Sequence, residues 1–158
     1  MSHAERYLSL VERAKGRKIS SDYQAAFYLL SSTPEIYAIA AEQVGPQGVG
    51  FASINRRAKN LGESEARVVS IAQNLFKYYS KTDATPFEIS RLGYPYMELA
   101  CNGIFIASGE AKVRTRSTEK GLELYLDTSN YEKTKKFYKQ IFQGMEDTTG
   151  EPEETMER

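Results

Sequence analysis

The sequence contains one cysteine, one histidine and no tryptophan. A single cysteine excludes an internal disulfide framework and a thiolate-rich zinc site, and it fits a reducing compartment. The one histidine, His3, stands beside a terminus expected to fray, which leaves metal and acid–base chemistry little material. No apolar run approaches the roughly 20 residues of a membrane span. The start, Met1-Ser2-His3-Ala4-Glu5-Arg6, has no apolar stretch of the signal-peptide kind. These shortages predict a cytoplasmic chain with no membrane partner, no cofactor, no metal ligands and no catalytic residues.

Net charge is absent too, but the zero hides a division. Residues 144–158 carry six acids against Arg158, so the first 143 residues hold the positive excess. That tail has Gly144, Gly150 and Pro152, with only Met145 and Met156 as large apolar groups. It is expected to be a disordered acidic arm, because it buries too little surface to offset the entropy of ordering. Such an arm either shields a basic face or is a solvated terminus. What the chain does have is 41 % hydrophobic residues with seven Phe and eleven Tyr, enough for the core of one domain over residues 1–143.

Helical spacing dominates. Ser2 with Glu5 three residues on starts a helix over 2–15, in which Tyr7, Leu8, Val11 and Ala14 recur, and Gly16-Arg17-Lys18 ends it. A second helix covers 22–31 with Tyr23, Phe27 and Leu30 inward. Thr33-Pro34 opens a third to about Val44, since proline at the first helical position loses no hydrogen bond. A glycine-rich loop at 45–50 follows, then helices over 51–60 and 64–80, the latter placing Val68, Ile71, Ala72, Leu75 and Tyr79 on one face. Thr85-Pro86 signals another start, and an apolar helix runs from Tyr96 to Ala107, weakened by Gly103. The period then changes to two over 112–116 and 122–126, which predicts a hairpin whose apolar side packs on helices. A last helix over 130–142 is expected to turn Thr134, Phe137, Tyr138, Ile141 and Phe142 inward. The fold class is mainly α: a bundle of about six helices with a C-terminal hairpin-plus-helix appendage.

Several of these segments form a pattern. They are the run Asp22-Tyr23-Gln24-Ala25-Ala26-Phe27-Tyr28-Leu29-Leu30-Ser31-Ser32, then Leu61-Gly62-Glu63-Ser64-Glu65, Ala72-Gln73-Asn74-Leu75-Phe76 and Thr85-Pro86-Phe87-Glu88. Together, over about residues 20–105, they resemble a family of short helical proteins from Gram-positive bacteria and their mobile elements. The resemblance implies an α-helical fold and a phage or conjugative-element setting. It assigns no functional residue.

Two binding constellations stand out. Ile54 to Leu75 has the order of a helix-turn-helix: Ala58, Leu61-Gly62 at the turn, Ser64 as a cap, then Val68 and Ile71 at core spacing. Its candidate DNA contacts are Arg56, Arg57, Lys59, Ser64, Arg67 and Ser70. Against that reading, Arg57 stands where an aliphatic residue is usual, and Glu63 and Glu65 face the helix start. An ordinary helical hairpin explains the pattern as well. The second constellation is Lys112, Arg114 and Arg116, a strand row spaced about 7 Å. With it go Lys133, Lys135, Lys136 and Lys139 on the last helix, interleaved with Tyr131 and Tyr138. Such a surface suits an acidic protein face or phosphates, unless its parts are separate solvated faces.

Catalytic readings are thin. Cys101 lies in an apolar stretch and reads as an inert core thiol. Glu110-Ala111-Lys112 has the acid-x-lysine spacing of metal-dependent nucleases without the further acid they need. The expectation is therefore a non-enzymatic binding protein: an interaction module or inhibitor with a protein partner, and in a mobile-element setting a modulator of a host nucleoprotein or defence complex. The alternative is a helix-turn-helix-like DNA-binding regulator using 51–79.

Overall fold

The computed structural model describes residues 1–15 and 19–149. The Gly16-Arg17-Lys18 stop and residues 150–158 of the expected tail lie outside them. The chain runs through α1 (His3–Arg13), α2 (Ser21–Leu30), α3 (Pro34–Ala40) and a 3-10 turn (Ala41–Gln43). A small hairpin, β1 (Val44–Gly45) with β2 (Gly48–Val49), then leads to α4 (Phe51–Ala58) and α5 (Glu63–Phe76). After α6 (Pro86–Ser90) and α7 (Tyr96–Ala107), a second hairpin of β3 (Lys112–Thr118) and β4 (Gly121–Asp127) ends in α8 (Ser129–Thr149). The described residues thus hold eight α-helices where about six were expected. The two Thr-Pro starts each open a short helix of its own: Thr33 Oγ1 accepts the Ile36 N–H, and Thr85 Oγ1 accepts the Glu88 N–H. None of the helices is long and apolar enough to cross a membrane.

α2 is the central helix. Ala25 to Leu30 are buried without a break, because α5 and α7 pack on α2, as do α1 and β3. One close approach depends on a missing side chain: a Cβ at Gly103 of α7 would lie 2.8 Å from Leu29 Cδ1. The glycine that weakens α7 as an isolated helix is what lets it lie against α2.

α1 closes the opposite side. Its capping box forms as expected, with Ser2 Oγ accepting the Glu5 N–H at 3.2 Å and the Glu5 carboxylate accepting the Ser2 N–H. Of the expected positions Tyr7, Val11 and Ala14 pack on the core together with Ala4 and Leu10, and Leu8 is exposed. Arg6 is buried as well and spans the end of α2. Its Nε donates to Ser31 O at 2.7 Å, and its two terminal nitrogens donate to Met1 O and Ser32 O. His3, expected to fray, is held there as well. Its Nε2–H donates to Tyr28 O at 3.0 Å, and its ring lies 4.8 Å from the Tyr28 ring.

The hairpin at 112–127 forms in the register Lys112↔Asp127 to Thr118↔Gly121. Its apolar side packs on the core through Val113, Leu124 and Leu126, and Gln24 Oε1 accepts the Val113 N–H. It belongs to the body of the domain, so the C-terminal layout differs from the expected appendage.

Further differences follow from tertiary contacts. α5 stops at Phe76, short of Ser80, because Asn74 Nδ2 donates to Ser80 O and the chain turns back over the helix. Tyr79 is consequently exposed. Cys101 is exposed, because α7 buries Ala100, Gly103 and Ile106, a face that excludes it. The loop at 45–50 contains the two short strands. Finally, α8 continues through Thr149, past the boundary at 143 where disorder was expected to begin.

Candidate interaction surface

α8 is anchored to the body of the domain at its start. Asp127 Oδ1 accepts the Ser129 hydroxyl and, at 3.0 Å, the Ser129 N–H; Arg114 Nε lies 3.5 Å from the other oxygen. The Ser129 bonds above all, then Arg114, hold the Asp127 carboxyl below the usual carboxylate range. One turn on, Tyr131 N–H donates to Glu110 O, Asn130 Nδ2 donates to Gly109 O, and the Tyr131 ring packs edge-on against Phe105 at 5.3 Å. Beyond that turn, no described side chain of α8 joins the hydrophobic core. The helix has 21 residues, which at a 1.5 Å rise is about 30 Å.

The stripe expected to face inward therefore faces out. Phe137 is 61 % exposed, Tyr138 and Phe142 are 55 % exposed, and Ile141 is 43 % exposed. Its placement outside corrects the sequence expectation, and the reason is one of capacity. The core facing α2 is already filled by α1, α5, α7 and the hairpin. Where the base of α8 meets the end of α7, an open groove of about 810 Å³ is lined by Phe105, Glu110, Tyr131, Lys135, Tyr138 and Phe142, among others. Lys135 Nζ lies 6.0 Å over the Tyr131 ring, and Tyr138 stacks on Phe142. One carboxylate oxygen of Glu110 is buried with no hydrogen-bond partner among the described residues.

Of the residues singled out from sequence, the structure brings Tyr131, Lys135, Tyr138 and Lys139 together in this groove. Lys136 is exposed but falls on the far side of α8 by helical spacing. Lys112, Arg114 and Arg116 do form an exposed row on β3, yet across the ladder they face Asp127, Tyr125 and Glu123. Arg116 Nε bonds Glu123 at 3.1 Å and its guanidinium lies 4.7 Å over the Tyr125 ring. That bond raises the Arg116 pKa and lowers that of Glu123. The row is matched largely by its own acids and is not a bare cationic strip.

The helix-turn-helix set is dispersed. Arg56 and Lys59 are exposed on or just after α4, while Arg57 pairs with Glu42 at 3.0 Å. Arg67 sits between Glu63 and Glu88, each at 3.0 Å, and Ser70 Oγ donates to Thr82. Ser64 does not cap α5; that position is Gly62, whose φ of +151° suits glycine. Residues 77–90 fold over α5, so that Glu63 is its only well-exposed residue. Glu65, at the same helix start, accepts a bond from the Tyr96 hydroxyl; burial and that bond push Tyr96 up to about 12.

Comparison with protein-family models, with curated proteins and with solved structures finds no match for this chain. The likeness to short helical proteins of Gram-positive bacteria thus rests on its motifs alone. Sequence reasoning missed Phe105 and Glu110 as groove residues and Phe137, Ile141 and Phe142 as surface residues. The signal that could have found them is surplus, since an apolar stripe this long at the end of the chain exceeds what a small core can cover.

Proposed function

We propose that this chain is a non-enzymatic binding protein that docks on another polypeptide through the outward stripe of α8 and the groove at its base. The observation that carries the reading is the exposure of Phe137, Tyr138, Ile141 and Phe142 on a helix that projects from a complete core. A helix of this length gains its stability in water chiefly by packing an apolar face. Aromatic residues beside Lys135 and Lys139 supply large contact area together with a rim of charge, the composition of protein interfaces.

The test places a photo-crosslinking amino acid at Phe137 or, as control, at Lys136 on the opposite face. Protein adducts formed in cells from position 137 and not from 136 support the reading. Equal labelling from both faces, or none from 137, refutes it.

A further inference from the structure

We infer that the polypeptide covering α8 is a second copy of this chain, paired antiparallel about a two-fold axis near the middle of the helix; this rests on the reading above. Three features of α8 converge on it. The first is register. Tyr131, Thr134, Tyr138, Ile141 and Met145 are spaced three and four residues apart in alternation, the a and d positions of a heptad seam. Antiparallel pairing sets Tyr138 of one copy against Ile141 of the other, and Thr134 against Met145.

The second is charge. The first half of α8 carries Lys133, Lys135, Lys136 and Lys139 against Glu132, and its last turns carry Glu146 and Asp147. A helix basic at one end and acidic at the other is complementary to itself only when the second copy runs the opposite way. A two-fold interface presents each patch to its own mate in that manner. Lys135 and Glu146 lie on the same flank of the stripe. They are about 16 Å apart along one helix and cannot pair within it. Across the two-fold axis, each faces the other.

The third is area. Tyr131, Phe137, Tyr138, Ile141 and Phe142 are 39–61 % exposed. On the ~150–250 Å² that an aromatic side chain can bury, this leaves roughly 500 Å² uncovered per copy. Two copies then bury about 1,000 Å², the threshold for a specific interface and in keeping with micromolar affinity.

The test is the mass in solution of the full chain, by light scattering across about 1–100 µM, a span set by micromolar affinity. Wild type is expected to reach twice 17.8 kDa. Ile141→Glu is expected to weaken pairing by more than about 100-fold, since each dimer then buries two unpaired carboxylates. At concentrations where both chains are monomeric its melting temperature matches that of wild type, because Ile141 lies outside the core, while the rise of the wild-type Tm with concentration is lost. Lys135→Glu and Glu146→Lys each weaken pairing by about 5- to 30-fold, and the double swap restores it. A wild type that stays monomeric, an Ile141→Glu chain that still dimerises, or a double swap without rescue overturns the inference. So does a monomer that sediments with anionic lipid vesicles. A monomer whose position 137 crosslinks a different protein defeats this inference alone; no adduct from 137 defeats the reading beneath it.

Discussion

Replacing Arg6 by methionine keeps the length and apolar stem of the side chain but removes every donor that binds the end of α2. In the native structure Arg6 is 7 % exposed and its guanidinium reaches Ser31 O at 2.7 Å, Met1 O at 2.6 Å and Ser32 O at 3.1 Å. Burial lowers its pKa, and the fields of Glu35 and Glu5 oppose that shift. Hydrogen bonds from a charged donor contribute about 1.5–3 kcal/mol each when the acceptor has no other partner. The acceptors are unequal. Met1 is exposed and its carbonyl can turn to water, whereas Ser31 is fully buried and its carbonyl is stranded. Relief from burying the guanidinium offsets part of the loss, and the methionine stem retains the packing. The net cost is about 2–3 kcal/mol, a large share of the roughly 5–15 kcal/mol that a domain possesses. For a chain of this size that lowers Tm by about 4–12 °C. Thermal and urea unfolding followed by circular dichroism measure it, with Arg6→Lys falling between the two, since one ammonium cannot reproduce the planar fork. A methionine variant melting within about 1 °C of wild type refutes the reasoning.

Gly103→Ala sets a helix-propensity gain of about 1 kcal/mol against an overpacking cost of about 1–3 kcal/mol, since the new Cβ meets buried Leu29 at 2.8 Å. The expected outcome in urea unfolding is net destabilisation, partly suppressed by adding Leu29→Val. His3 has a lowered pKa, chiefly from burial, so the unfolded chain takes up its proton more readily. The His3 contribution is complete above its unfolded pKa of 6.5 and is lost as pH falls below it. Tm should therefore drop more steeply from pH 7 to pH 5 in wild type than in His3→Gln, as a thermal-shift series will show. Phe142→Ser, on the exposed stripe, should change the folding stability of the monomer, measured below the pairing concentration, by less than about 0.5 kcal/mol in the same unfolding assay, against the several kcal/mol of a core phenylalanine.

Elements written in a few adjacent residues were legible in the chain before any fold was known. The Ser2–Glu5 capping box, both Thr-Pro helix starts and the alternation that pairs Lys112 with Asp127 each depend on neighbours three to fifteen positions away. Part of the candidate surface was legible as well: Tyr131, Lys135, Tyr138 and Lys139 stand out as an aromatic–lysine pattern and meet in one groove. The pattern carried a period but not a direction. Helical spacing shows that Phe137, Ile141 and Phe142 share a face with Tyr138, and is silent on what that face meets.

Only the tertiary arrangement settled the direction, because burial depends on how much core the other elements have already filled. Once α1, α5, α7 and the hairpin surround α2, the core is filled, α8 keeps only its first turn against the body, and its stripe turns outward. The same arrangement sends Arg6 inward to the Ser31 and Ser32 carbonyls, 25 and 26 residues on at the end of α2, and leaves Cys101 on the surface. It also pairs Arg67 with acids from two elements. Local sequence determined where the helices and strands begin. The competition of those elements for one small core decided which faces remained exposed.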